Sequence, residues 1–504
     1  MTVLLISPVP GFQKELIDII NIFMPDIRPV SEGADLDIRI SDRMEGGRRL
    51  CEAQLSGALH GVHEIAEWPS VDPVVEKRLH KRQQKLALYY ALVQASGLHP
   101  SWGSLTGIRP TRLVMEAMSE GLSLHQATER TRGMFDLRAD KAGLLGEVIR
   151  AQQSLSPALE NEISCYIGIP FCVSRCRYCS FLSREVGDGS ILPAYVSALE
   201  HEIAATARLI SGQGLSVRSV YVGGGTPTAL PASLLARVLK SASGLILGAR
   251  EVTVEAGRPD TITKEKLKII MDSGGSRISV NPQSMHDRTL AAIGRGHTAR
   301  QTEEAFLMAR QAGFKHINMD LIAGLPGENL PMFSETLNRV VAMGPEALTV
   351  HTLSLKRSSD MYRFGDALPE GDEVETMVDE ARGRCLDDGY EPYYLYRQKH
   401  MAGNMENVGY AKPGSACLYN IDMMEDMTTV LAMGAGAVSK RVWPGRKRIL
   451  RAPNVKDIQH YISRVDEMII RKDALMQGVG KGVRPASVYG WETNILPLEL
   501  EDKT

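Results

Sequence analysis

Residues 166–181 read YIGIPFCVSRCRYCSF. A strand-like apolar run ends at Ile169-Pro170, and three cysteines follow at once: Cys172, Cys176 and Cys179, spaced C-x3-C-x2-C. Thiolates this close on one loop suit a soft metal centre. A structural zinc ion wants a fourth thiolate or a histidine, and no histidine lies within twenty residues on either side. A [4Fe–4S] cluster normally takes four cysteines, so one held by three leaves an iron open to a small molecule. The spacing leaves two other readings: zinc completed by Cys165, or three unrelated buried thiols.

Working outward, short apolar runs recur after this one: SVYVG (219–223), EVTVEA (251–256), RISVN (277–281), HINMDLIAG (316–324) and ALTVHTLS (347–354). Amphipathic segments such as PAYVSALEHEIAATARLI and TEEAFLMARQAGF separate them. Strand and helix in alternation imply parallel strands with right-handed crossovers. Six such units predict a barrel, closed or incomplete, over residues 159–390, with the cysteine loop on its C-terminal, ligand-binding face. Residues 1–158 form an α+β region that opens with the strand-like TVLLIS and DLDIRI and turns helical from about Pro73. The basic run His80-Lys81-Arg82 is expected on a solvated helix face. Residues 391–504 are less regular, with a glycine-rich turn, AMGAGAVSK (432–440), and a loosely ordered final twenty residues.

The totals bound the function. With 504 residues, 43% of them hydrophobic, and a net charge of −2, the chain has no electrostatic case for nucleic acid or an anionic membrane. No apolar run approaches the ~20 residues of a membrane helix. The N-terminus lacks the basic region and cleavage site of a signal peptide, so it reads as a strand. Seven cysteines, only three of them clustered, argue for reduced thiols and a cytoplasmic protein.

C-x3-C-x2-C with an aromatic before its last cysteine resembles the radical S-adenosylmethionine (SAM) superfamily. Y-x-x-I-P-F-C, GGGTPT after the second strand and DLIAGLPGE after the fifth resemble the oxygen-independent coproporphyrinogen III oxidase group. EAGRPDTIT, RISVNPQSMHDRTL, NVGYAKPG and SLTGIRPT look like its HemZ-type coproporphyrinogen dehydrogenases. The resemblance implies a partial (β/α)6 TIM-like radical SAM barrel with an α+β N-terminal domain and a C-terminal extension that completes the active site. It implies a [4Fe–4S] cluster on the three cysteines, whose open iron chelates SAM for cleavage to a 5′-deoxyadenosyl radical. Tyr166, Tyr178, Gly224 and Glu255 would contact that SAM, with Tyr178 against its adenine and Val438 beside it. A second SAM would touch Gly225, Thr226, Gln283, Arg295, Asp320 and Ser354.

Read bottom-up, Gly223-Gly224-Gly225-Thr226 ends a strand where bare glycines let backbone N–H groups approach a ligand, or simply make a tight turn. Glu255 suits a cationic amine, a ribose or a helix cap. The implied reaction is oxidative decarboxylation of coproporphyrinogen III to protoporphyrinogen IX, fed by a flavodoxin- or ferredoxin-like electron donor and run by a monomer. A haem chaperone of the same family, or another radical enzyme acting on a tetrapyrrole by methyl transfer or ring opening, are the other readings. The oxidase branch has a further cysteine where this chain has Phe181, and a histidine where it has Gly168. The chaperones' H-N-x-x-Y-W motif corresponds here to Tyr419–Met424, with its histidine, tyrosine and tryptophan all replaced. Arg258, Lys356, Arg357, Arg397 and Lys399 are expected to be solvated surface charges.

Overall fold

A computed structural model describes residues 1–478 except 10, 26, 108, 182, 357, 358, 367, 368, 399, 400 and 444–447. Arg357, Lys399 and the final twenty residues therefore lie outside the described residues.

In the first segment, Leu36–Glu45 buries Leu36, Ile38 and Ile40 in strict alternation, the period of a half-buried strand. It pairs with Thr2–Ile6, parallel, and with Arg48–Gly57, antiparallel, in a five-stranded sheet completed by Arg28–Pro29 and Gly61–Glu67. Helices Gln13–Phe23 and Pro73–Ser96 supply Leu16, Ile19, Leu88 and Leu92 to its core. The second helix starts where the sequence put it: Asp72 accepts hydrogen bonds from Val74 N and Val75 N, and Pro73 occupies the first turn. Its basic run is not a solvated face. Half-buried His80, Lys81 and Arg82 pair with Asp42, Glu15 and Glu67, because this stretch of helix lies on the sheet.

Helices Pro110–Ser119, Leu124–Phe135 and Ala139–Gln153 belong to a different core. Val114, Ala127, Leu145 and Val148 pack with the barrel residues, not with the N-terminal sheet. Buried Lys141 donates to Glu406 and Asp379 (2.8 Å each), and Trp102 Nε1 donates to Glu406 (2.6 Å). This pins the WGSLTGIRPT segment to the far edge of the barrel.

The barrel strands are Glu162–Ile169, Ser216–Gly224, Glu251–Glu255, Arg277–Ser279, His316–Ala323 and Ala347–Thr352, all parallel and neighbouring in sequence order. Most of their residues are buried on both faces, which is why they read as continuous apolar runs. The intervening helices carry clear boundaries: Thr298 and Gln301 form a capping box, Asn329 caps Leu330–Met343, and Gly344 ends it in the left-handed conformation.

The sheet does not close. At one edge the sixth strand pairs antiparallel with Asn407–Ala411 and, beyond it, Glu391–Tyr396. At the other, Thr429–Met433 adds a seventh parallel strand beside the first, followed by Val438–Val442 and Ile449–Pro453. The result is an eleven-stranded open sheet. Helix Leu418–Met424 closes the N-terminal mouth, where Leu418 N and Tyr419 N donate to Glu251 and Arg277 donates to Ser415 O (2.7 Å). No described helix is long and apolar enough to cross a membrane.

Candidate active site

The cysteine loop leaves the first barrel strand at Pro170 and is clamped by the glycine end of the second. Gly225 N donates to Ile169 O (2.8 Å) and Thr226 N to Phe171 O (2.7 Å). Cys172 Sγ stands 3.6 Å from the Thr226 hydroxyl. The rest is a tight coil: Cys179 N donates to Cys176 O, Arg177 N to Ile293 O, and Met361 N to Arg177 O. All three thiols are half-buried. Burial pushes Cys172 and Cys179 up from the usual thiol range, and the neighbouring thiols add to it.

Among the described residues no three histidine, cysteine or carboxylate groups converge tightly enough for a single ion. Three half-buried thiols on one loop, with no histidine or carboxylate completing a set among the described residues, suit an iron–sulfur cluster better than zinc. Cys165 is no fourth ligand: it is buried in the barrel core between Val220 and Leu431.

The glycines answer a steric demand. A Cβ on Gly225 would lie 2.5 Å from Phe171 O, and Gly224 has φ +114°. The expected ligand-facing amides are already spent, since Gly224 N donates to Glu255 (3.2 Å) and the next two amides bind the cysteine loop. What the glycines provide is closeness, not free donors.

Glu255 caps no helix. Its carboxylate accepts from Tyr221 OH (2.6 Å) and Gly224 N, and burial, with Asp320 adding repulsion, pushes it up to about 7. The Tyr221 ring stacks on Tyr419 (4.5 Å between centroids), which stacks on Tyr166 (6.2 Å). A cavity of about 120 Å³ opens between Tyr166, Gly168, Ile169, Pro170, Gly224 and the turn 435–437. The turn is held from behind by a buried network. Glu202 accepts from Gly434 N (2.7 Å), Asn454 (2.8 Å) and Tyr461 (2.6 Å), and it pairs with Lys472.

Across the lumen, Asp320 accepts from Asn281 and Asn318 (2.7 Å each) and lies 3.7 Å from His351. Burial opposes its ionisation, yet His351, Asn318 and Thr349 hold it below the ordinary carboxylate range. Gln283 N donates to Asp320 O (2.9 Å) from a left-handed backbone at φ +67°, and its Oε1 is buried with no partner. Gln283 thus combines an uncommon backbone conformation with a buried acceptor left open. Arg295 donates to Tyr178 OH (2.9 Å) and Gly257 O (2.7 Å).

The structure thus brings Gly225 and Thr226 onto the segment carrying Cys172, gathers Tyr166 and Gly224 at one cavity with Glu255 beside Gly224, joins Tyr178 to Arg295, and joins Gln283 to Asp320. Tyr178 packs with Leu290, Ile293 and Leu353, while Val438 starts the strand paired with Pro453. Ser354 bridges to Met401 beyond the sixth strand.

Residues 166–340 match the radical SAM superfamily. The oxygen-independent coproporphyrinogen-III oxidase-like protein HemZ of Bacillus subtilis is 40% identical over 389 residues, covering 75% of this chain and 78% of the relative. The chain belongs to the radical SAM superfamily, in its coproporphyrinogen oxidase-like group. Haem chaperones are relatives too: HemW of Bacillus subtilis is 30% identical, over 60% of this chain and 76% of its own. The structure of coproporphyrinogen III oxidase (HemN) of Escherichia coli, a radical SAM enzyme, superposes with a TM-score of 0.50 at 23% identity, covering 65% of this chain and 73% of that one. The partial barrel is therefore the family's, and with it come a [4Fe–4S] cluster and SAM.

Two residues that the sequence reading passed over belong to this site. Tyr221 and Tyr419 build the aromatic stack, and the inward parity of Tyr221 with Gly223 along SVYVGG was the available signal. Arg258 and Arg397, expected on the surface, are buried. Arg397 donates to Leu105 O and Asn404 O and lies over the Trp102 ring, and burial pushes it down to about 10. The larger apolar cavity, about 420 Å³ between Met115, Ile149, Leu418 and Met427, lies at the opposite, N-terminal end of the barrel.

Proposed function

We propose that this protein is an oxidoreductase that decarboxylates two propionates of coproporphyrinogen III to vinyls, giving protoporphyrinogen IX without oxygen. The observation that carries the reading is the assembled site combined with 40% identity to HemZ across 78% of that relative. When bound, the cluster and SAM supply a hydrogen-abstracting radical by one-electron cleavage, the electron coming from a flavodoxin- or ferredoxin-like donor.

The chain's own part is placement. Cys172, Cys176 and Cys179 hold the cluster at the strand end. Tyr166, Gly224 and the turn ahead of Val438 wall the SAM pocket. Glu255 and Asp320 face the lumen as acceptors for ammonium or hydroxyl groups. Tyr178 lies against the adenine of the cluster-bound SAM, and Gly225, Thr226, Gln283, Arg295, Asp320 and Ser354 mark where a second SAM would sit. The tyrosine stack offers a flat apolar wall that excludes water from the reacting carbon.

The test is an anaerobic incubation of the reconstituted protein with dithionite, SAM and coproporphyrinogen III. Deoxyadenosine formed in step with protoporphyrinogen supports the reading. Stable haem binding without SAM cleavage replaces it with the chaperone role, and deoxyadenosine without decarboxylation replaces the substrate.

A further inference from the structure

Arg258 follows the third barrel strand in EAGRPD and is 3% exposed. Every arm of its guanidinium is committed. Nε and Nη2 hold Asp260 as a fork (3.2 and 3.0 Å), and Nη1 donates to Ser174 O (3.0 Å) and lies 3.7 Å from Cys176 Sγ. A buried guanidinium whose three nitrogens all donate within the protein is poorly placed to receive a substrate carboxylate. Its remaining interaction is with the sulfur of a cluster-ligand position.

We propose that Arg258 tunes the cluster, raising its reduction potential by placing a fixed cation and an N–H donor against the Cys176 sulfur. Reduction adds a negative charge to the cluster, and a neighbouring positive charge and hydrogen bonds to sulfur favour that state. Asp260 fixes the direction of the fork, which a lysine could not reproduce. Behind it lies buried His297, whose Nδ1 is 3.9 Å from Asp260, beyond hydrogen-bond distance. Arg258 is a positioning residue, since it acts through Cys176.

The inference rests on Cys176 holding the cluster, and Cys176→Ala separates the two: wild-type iron in that variant defeats the ligand assignment, whatever Arg258 does. The test uses full-length protein reconstituted anaerobically, with iron and sulfide counted per chain and the midpoint potential taken by redox titration followed by electron paramagnetic resonance. Arg258→Met with a full cluster is expected to hold about tenfold less reduced cluster at a fixed potential, which is about 59 mV for one electron. Arg258→Lys, which keeps the charge and loses the fork, is expected between the two. An unchanged midpoint in Arg258→Met overturns the proposal, as do equal midpoints in the two variants. If Arg258→Met takes up no cluster, Arg258→Lys decides alone: a midpoint below wild type supports the proposal, and a wild-type midpoint or no cluster assigns the arginine to loop building only.

Discussion

Replacing Gly225 by alanine separates the steric role of the glycine run from a ligand-binding one. Gly225 lies outside the positive-φ region, so alanine fits its backbone conformation, and the whole penalty comes from the added methyl. That methyl meets Phe171 O at 2.5 Å, Phe171 N at 2.8 Å and Phe171 C at 2.9 Å, where ordinary contact begins at 3.4 Å. No flexible side chain can yield, because all three atoms are backbone of the segment carrying Cys172. The strand must retreat by close to an ångström, breaking the Thr226 N to Phe171 O bond. Overpacking of this kind costs about 1–3 kcal/mol, and a backbone clash belongs at the upper end. The controls are Gly133→Ala and Gly143→Ala, two helical glycines whose Cβ would meet nothing within 4 Å, expected to stabilise by up to about 1 kcal/mol. Denaturant unfolding under argon, with iron counted on reconstituted protein, reads both consequences. Gly225→Ala with wild-type stability and wild-type iron would refute the steric argument.

Cys176→Ala should lose most of its iron, while Cys165→Ala keeps it, as measured by metal analysis after reconstitution. Lys472→Met should destabilise by about 3–5 kcal/mol, because it leaves Glu202 as a buried uncompensated charge. Adding Glu202→Gln should recover part of that loss, and amide exchange at Gly434 should quicken in the single variant. The folded value of Glu255, about 7, lies above the ordinary 4.5, so the folded state binds the proton more tightly than the unfolded one. Its contribution is full below about 4.5 and is lost as pH rises to about 7. The loss of thermal stability between pH 5 and 7.5 should be smaller in Glu255→Gln than in wild type, and identical slopes would contradict the assignment.

The six barrel strands were legible because buried parallel strands are unbroken apolar runs, and the cysteine spacing is local. The seventh parallel strand, Thr429–Met433, escaped because TVLAM is short and sits among turns, and only the unpaired edge of Glu162–Ile169 gives it a partner. The membership of helices 110–153 in the barrel core was equally hidden, since their apolar stripes do not say which sheet they cover. At the candidate site, residues on strand ends could be named from the sequence, and those acting through a neighbour could not. An arginine in a loop reads as a surface charge until Asp260 and the Cys176 thiol are seen to surround it.

The wall opposite the cysteine loop is built from residues about 435–437, more than 250 positions downstream. During synthesis the six barrel strands emerge in order and can pair as they appear. The first strand nevertheless keeps a bare edge, and the cysteines an open flank, until Thr429–Met433 and the Lys472 helix leave the ribosome. A cluster inserted early would ride on a half-built site exposed to solvent and oxidants. A chain cut short before residue 429 would carry all three cysteines and lack the strand and turn that wall the cavity beside them.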